Sequence, residues 1–454
     1  MKTDLDLENY LKSLAINVTV LCVDNHKLGP VHSLLEVKNF IDFESELIVN
    51  YCDFDWRWNY QEFKKWLAIE KPHAALCVYS GYHPHYINPA PYAHTRNHQH
   101  NVLEIKEKQS FTKYREEEPA ASGTFYFSSG KILFDACNWL IDKNEKINGE
   151  FYVSLLFNYF PLKNMRTLSY FVKYFMQWGT PEDLEDYKFL AKKVPMNFPF
   201  CLINCSSITL MAGKGKRMKA VDNVKKPFLT IDNKFLYQVC NQNFKTSKKN
   251  IFALNGDKDD YDYGNFIDES SKVFVGETNS SVETLLKVLE TVDFADDQEI
   301  FILPCDAAIN LNWENFLQDY KKMSNCEAVI FTFSGYYFAR WKPDQYGWIK
   351  SNKDKSIKSV GYKKGWDADF LNPIVTGYFW FPNIGKLKNK LKKFFAISKE
   401  FKNEISIDQF CEFLIKNNNK VYSYEVDDFL CLGTSEEFRA YEYWINANEI
   451  TKLI

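Results

Sequence analysis

The chain has 454 residues, enough for two or three domains with buried cores. Charged residues make up 25% and the formal net charge is −3, an ordinary soluble balance in which bulk charge gives no case for a nucleic-acid partner. No apolar run approaches the roughly 18 residues of a membrane span, the polar start MKTDLDLENY is not a secretory signal, and 11 cysteines without a C-x-x-C pair point to reduced thiols in a cytoplasmic enzyme.

The first strand is expected at Ile16 to Asp24 (INVTVLCVD). A helix follows in VHSLLEVKNFI, with Leu34, Leu35, Val37 and Phe40 on one side. ELIVNYCDFDW reads as a strand running into Cys52-Asp53-Phe54-Asp55. HAALCVYSGYHPHY is a strand and loop. VLEIKEKQSFT leads to a small-residue turn, and ASGTFYFSSG is a strand. NGEFYVSLLFNYF starts a helix, and FMQWGTPEDLEDY opens another after Thr180 and Pro181. Residues 190–205 hold Pro195 and Pro199 but no Gly/Ser tract, which predicts a short, packed connection.

Next comes Ile208 to Lys226, ITLMAGKGKRMKAVDNVKK, closed by Pro227. It reads as a short apolar strand, a glycine-lysine loop and a basic turn. Gly213 and Gly215 let backbone N–H groups approach phosphate oxygens, because no Cβ stands in the way. Lys214, Lys216, Arg217 and Lys226 add positive charge at the same place. A triphosphate carries about four negative charges, and Arg and Lys are the residues that pair with it.

The remaining elements repeat those of the first half. SVETLLKVLETV answers VHSLLEVKNFI, EIFILPCDAAI answers ELIVNYCDFDW, and VTGYFWF answers ASGTFYF. NEISIDQFCEFLI answers GEFYVSLLFNYF, and FLCLGTSEEFRAY answers FMQWGTPEDLEDY. Leu34 and Leu285 stand 251 apart, Asp53 and Asp306 253, Gly123 and Gly377 254. A nearly constant offset of one whole domain predicts two tandem copies, residues 1–195 and 204–454. The counterpart of Gly213 would fall before Met1, so the first copy is expected to lack the glycine loop. Alternating strands and helices predict an α/β architecture with a mostly parallel sheet.

The stretch Ala212, Gly213, Gly215, Arg217, Met218, Lys226, Pro227 resembles the signature A-G-x-G-x-R-(M/L)…K-P of the nucleotidyltransferases that make NDP-sugars, the NDP-sugar pyrophosphorylase family. The first-copy phrases VNYCDF, GYHPH, EIKEKQSFT, ASGTFYF, NGEFYVSL and QWGTPEDL are similar to bacterial members from surface-polysaccharide clusters. The resemblance implies a Rossmann-like nucleotide-diphospho-sugar transferase fold in both copies. It also implies transfer of NMP from an NTP to a sugar 1-phosphate or similar phosphate monoester, releasing pyrophosphate, for surface polysaccharide precursors. Ala212, Gly213, Lys214, Gly215 and Lys216 would cradle the triphosphate. Arg217 would hold the leaving phosphates, and Lys226 the α-phosphate and the incoming phosphate. Ser280, in GETNSSVE, would lie beside the base and Asp306 on Mg2+. Lys363 would approach the sugar phosphate, with Gly377 and Glu404 beside the sugar.

Two positions depart from the family pattern. The second metal aspartate, two residues before Gly-Thr, is Gln177 in the first copy and Cys431 in the second, with Asp427 and Asp428 nearby as substitutes. The E-K-P glutamate is Tyr362 in the second copy, whereas the first keeps Glu107-Lys108. The first copy is expected to be a non-catalytic regulatory or dimerising partner, which admits a homo-oligomer. Two alternatives stand beside this reading. One is a GT-A-like glycosyltransferase using Asp53 and Asp55. The other is an inactive protein that binds nucleotide or sugar. His83, His85, His94, His98 and His100 cluster, but without a cysteine partner or a standard zinc spacing.

Overall fold

The computed structural model describes residues 2–14, 17–83, 92–193, 196, 198–213, 218, 224–231, 233–256, 267, 271–362, 372–398 and 405–451. It divides into two compact units, Met1–Tyr187 with Ile450–Ile454, and Lys188–Glu449. Both are mixed α/β.

In the first unit the strand Ala74–Tyr79 (AALCVY) is apolar and buried along its whole length. Successive strand side chains point to opposite faces. Ala74, Leu76 and Val78 therefore join one core with Phe125, Phe127 and Phe157. Ala75, Cys77 and Tyr79 join another with Phe54, Phe63 and Phe175. A sheet covered on both faces demands such an unbroken apolar run. The strand order is Leu47–Asn50, Ala120–Phe127, Ala74–Tyr79, Thr167–Phe171, Asn101–Lys106, His94–His98.

The second unit is built on a larger sheet. Its path runs Lys272–Phe274, Asn250–Leu254, Ser206–Leu210, Ile300–Pro304, Ile374–Phe381, Cys326–Phe333, Lys420–Glu425. A hairpin of Gly347–Ser351 and Ile357–Tyr362 joins it beside Ile374–Phe381. Helix Ser281–Thr291 buries Val282, Leu285, Leu286 and Leu289, the spacing of one helical face, in the core around the sheet.

The pairings of the first sheet recur in the second. Leu47 pairs with Phe127 and Ile300 with Phe381, both antiparallel. Ala74 pairs with Thr167 and Ala328 with Val421, both parallel. His94 pairs with Ala120 and Trp348 with Ile374. Phe54 pairs with Gln177 and Ala307 with Cys431. Gly123 and Gly377 sit at matching places, with φ of 98° and 88°.

Three expectations are corrected. Neither sheet is mostly parallel. Among the described residues, four of the second sheet's pairings are parallel and four antiparallel, and in the first only Ala74–Tyr79 with Thr167–Phe171 is parallel. The strand Ile374–Phe381 pairs antiparallel with Ile300–Pro304, Cys326–Phe333 and Gly347–Ser351. The predicted strand at Ile16 to Asp24 is not formed over its described part, and Leu21, Cys22 and Val23 are exposed. In the second unit Lys272–Phe274 takes that place and is held by Asn250–Leu254; among the described residues the first unit has no such neighbour. The helix expected in NGEFYVSLLFNYF is a 3-10 turn, Val153–Asn158, and one short helix, Tyr159–Leu162. Pro161 stands where the helix would propagate and removes a donor.

The Gly123 backbone tests this packing. A Cβ there would lie 2.6 Å from the ring of Phe54, which stacks on Trp56 and packs on Phe175. Gly149 has a similar φ of 88° with nothing within 4 Å. In denaturant titrations Gly123→Ala should cost at least about 3 kcal/mol, and Gly149→Ala only the backbone strain of about 1 kcal/mol. Equal losses would show that the Phe54 contact is not tight.

Candidate active site

Parallel sheets open a crevice beyond the carboxyl ends of their strands. In the second unit a cavity of about 580 Å³ lies at the ends of Ser206–Leu210 and Ile300–Pro304. Ala212, Gly213, Lys226, Ser280, Asp306 and Gly377, six of the residues singled out in the sequence, line it together. Lys214, Gly215, Lys216, Arg217, Lys363 and Glu404 lie outside the described residues.

Asp306 follows the strand Ile300–Pro304, and its carbonyl accepts the Leu432 N–H at 2.7 Å. Its carboxylate pairs with the Lys226 ammonium, which also donates to the Gly433 carbonyl at 2.8 Å. The two side chains are only 10% and 21% exposed. Lys226 begins a short 3-10 turn with the buried Pro227, so its stem leaves a fixed piece of backbone. A Cβ on Gly433 would lie 3.0 Å from Cys431 Sγ and 3.2 Å from Asp306 Oδ2. A side chain there would crowd both groups, which would have to give by a few tenths of an ångström.

Glu437 buttresses that turn from below. Its carboxylate accepts bonds from Tyr346 Oη at 2.6 Å, Tyr336 Oη at 3.0 Å, and Thr434 N and Oγ1 at 3.0 and 2.9 Å. The Tyr336 hydroxyl also accepts the Cys431 N–H at 3.1 Å. Burial nevertheless holds the Glu437 carboxyl above the usual carboxylate range. Sequence reading did not single out Glu437, Tyr336 or Tyr346. The signal for Glu437 was present as T-x-x-E, Thr434 to Glu437, at the start of helix Ser435–Thr451. Gly347 and Asp408 also line the cavity, and Gly347 leaves room for the Asp408 carboxylate, 2.7 Å from where a Cβ would stand.

Ser280 is the N-cap of helix Ser281–Thr291, its hydroxyl accepting the Glu283 N–H at 3.0 Å. It shapes the wall and is already engaged. Cys305 lines the cavity too, but burial pushes its thiol up to about 12, so it stays protonated at neutral pH.

The first unit repeats the turn without the lysine. Trp178 N–H donates to the Asp53 carbonyl at 2.7 Å, and a Cβ on Gly179 would lie 3.0 Å from Asp53 Oδ2 and 3.3 Å from Gln177 Nε2. Thr180 and Asp183 exchange the bonds of Thr434 and Glu437. Among the described residues no Lys or Arg pairs with Asp53. Asp55 is bound to Arg57 at 3.2 Å and to the Trp56 N–H at 2.9 Å. Nearby, Lys108 donates to Tyr152 at 2.7 Å, Tyr152 to Glu150, and Ser154 to Glu107. Of the histidines, His83 bonds the Phe175 carbonyl and His94 lies 3.6 Å from Glu118. His85 lies outside the described residues. Among the described residues no group of three or more His, Cys, Asp or Glu is placed to hold a metal ion, and no helix is long and apolar enough to cross a membrane.

No protein-family model matches the chain, and no curated protein matches it. Solved structures match over about half of it. A nucleoside-diphosphate-sugar pyrophosphorylase from Vibrio cholerae RC9 is 16% identical, covering 52% of this chain and 99% of its own, with a TM-score of 0.40. An inositol-1-phosphate CTP transferase from T. maritima is 14% identical, covering 54% and 97%, with a TM-score of 0.36. A UTP-bound UGPase from Acinetobacter baumannii is 14% identical, covering 55% and 98%, with a TM-score of 0.40.

The Glu437 network makes stability depend on pH with a definite sign. Burial raises its folded pKa above the unfolded value of 4.5. The folded state then binds more protons between those two values, so the contribution is full below 4.5 and falls as pH rises through the folded pKa. Glu437→Gln cannot ionise and should lose that fall; identical slopes for both proteins in denaturant titrations across this window would contradict it. Glu437→Ala removes the acceptor of the buried Tyr346 hydroxyl, while Tyr336 keeps its bonds to Cys431, and should cost about 1–3 kcal/mol.

Proposed function

We propose that the second unit transfers a nucleoside monophosphate from an NTP to a sugar 1-phosphate or similar phosphate monoester, releasing pyrophosphate. One observation carries the reading. The first residues of the glycine loop, Lys226 and Asp306 come from distant parts of the sequence and meet in one cavity at the carboxyl ends of parallel strands. Its volume suits a ligand of nucleotide size.

An oxygen of the incoming phosphate attacks the α-phosphorus, and a new O–P bond forms. The bond from that phosphorus to the oxygen bridging to the β-phosphate breaks. Pyrophosphate leaves with the electron pair. Positioning and charge neutralisation supply the rate. Ala212, Gly213, Lys214, Gly215 and Lys216 form the phosphate cradle. Arg217 takes the leaving phosphates, and Lys226 the α-phosphate and the attacking oxygen. Lys363 approaches the acceptor's phosphate, with Gly377 and Glu404 on its sugar side. Ser280 fixes the wall nearest the base.

The resemblance implies Mg2+, a hard ion that takes oxygen ligands. The residues beside Asp306 do not fit a two-carboxylate site. Asp306 is paired with an ammonium, Cys431 offers sulfur, and the Glu437 carboxylate is engaged in four hydrogen bonds. Asp428 belongs to a strand paired with Ala307–Asn310, Asn310 being its partner. No step is therefore routed through a metal.

We infer further that the two units are copies of one domain, supported by the recurring registers and the repeated Asp53 and Asp306 turns. The first unit, with Asp53 facing Gln177 where Asp306 faces Cys431, serves as a non-catalytic partner that binds sugar or nucleotide. A role in surface-polysaccharide precursors follows from the sequence resemblance.

Pyrophosphate release from the four common NTPs, each with a panel of sugar 1-phosphates, tests the reading. One NTP should dominate. Lys226→Ala and Arg217→Ala should each lower kcat at least about 10²-fold, the usual loss for a charge-stabilising donor. Unchanged rates in both variants would overturn it.

A further inference from the structure

The counter-charge to Asp306 is supplied by the chain itself. The Lys226 ammonium is held between the Asp306 carboxylate and the Gly433 carbonyl, with both side chains largely withdrawn from water. An ammonium in that place supplies one of the two positive charges a dication would bring and repels a second cation. The neighbouring donor is unsuited to a hard ion. Cys431 Sγ and Asp306 Oδ2 both border the vacant Cβ position of Gly433, at 3.0 and 3.2 Å. Sulfur selects soft metals, and magnesium requires oxygen. The nearest further carboxylate, Glu437, has an oxygen 3.7 Å from the same point, but Tyr336, Tyr346 and Thr434 hold it in the buttress.

We infer that Lys226 takes the place of a protein-held divalent cation beside Asp306, and that the second unit binds its triphosphate without a metal ligated by the chain. The inference rests on the nucleotidyl-transfer reading of the same cavity. It assigns Cys431 the role of the residue that keeps the site metal-free, since an aspartate there would supply the missing second hard ligand.

Calorimetric titration of the full chain with ATP, CTP, GTP and UTP, in EDTA and in magnesium chloride, tests this alongside electron paramagnetic resonance of free Mn2+. One nucleotide should bind with dissociation constants that agree within about tenfold in the two buffers, a factor worth about 1.4 kcal/mol. The nucleotide-free protein should leave the Mn2+ signal unchanged. Cys431→Asp should deplete free Mn2+ and bind the nucleotide at least about tenfold more weakly in EDTA than in magnesium. As a second variant, Lys226→Met should gain thermal stability on adding Mn2+, whereas the wild-type chain should not. Depletion of Mn2+ by the wild-type chain, or a loss of nucleotide affinity beyond about a hundredfold in EDTA, overturns the inference and leaves the nucleotide site standing. Failure of all four nucleotides to bind in either buffer removes the site reading itself, and the inference with it. Mn2+ indifference in both variants also overturns it.

Discussion

The second unit's cavity depends on one clasp. Lys226 reaches across 80 residues of sequence to Asp306 and fastens to the Gly433 carbonyl in the same grip. Three segments of chain meet there: the turn after the glycine loop, the end of the strand Ile300–Pro304, and the turn before the last helix. Largely buried ion pairs are weak sources of stability, because desolvation offsets most of the attraction. A packed apolar contact would tie these segments together at lower cost. A charged clasp at the wall of an open cavity is better explained by what enters the cavity.

The clasp needs a rigid floor, and Glu437 supplies it. Four hydrogen bonds partly compensate a buried carboxylate that water no longer solvates. Two of its donors are hydroxyls of aromatic residues, so the turn is tied to the packed core around Tyr336 and Phe429. Gly433 then matters for what it lacks, since a side chain there would crowd Cys431 Sγ and Asp306 Oδ2. The first unit keeps the same backbone device, Asp53 with Trp178 and Gly179, and a shorter Thr180–Asp183 buttress. What differs between them is the chemistry at the carboxylate, and that is where two similar scaffolds would part in function.

Much of this was legible in the sequence because local pattern and contact coincide. The run ITLMAG gave a strand ending in a turn, and FILPCD gave another; neighbouring parallel strands bring their ends together. Lys226 and Asp306 followed from the signature and its spacing. Glu437 was harder to see, because a helix-start glutamate after threonine reads as an ordinary cap and its tyrosine partners lie 91 and 101 residues away. Strand direction was also hidden. ASGTFYF and VTGYFWF show apolar periodicity but not which way the chain runs beside its neighbours.

The apolar segment Ile16 to Asp24 shows where periodicity stops being sufficient. Its β-branched residues suit a strand, yet a strand exists only through hydrogen bonds to another. In the second unit the matching residues pair outward from Asn250–Leu254, which itself pairs with Ser206–Leu210, which pairs with Ile300–Pro304. Among the described residues of the first unit, the sheet ends at Leu47–Asn50, which pairs with Ala120–Phe127 as Ile300–Pro304 pairs with Ile374–Phe381. Those intervening strands do two things at once in the second unit: they hold the outermost strand, and they deliver Gly213 to the cavity. Among the described residues of the first unit, then, Val18 to Val23 has no strand beside it and Asp53 no glycine loop, and both go with the narrower sheet.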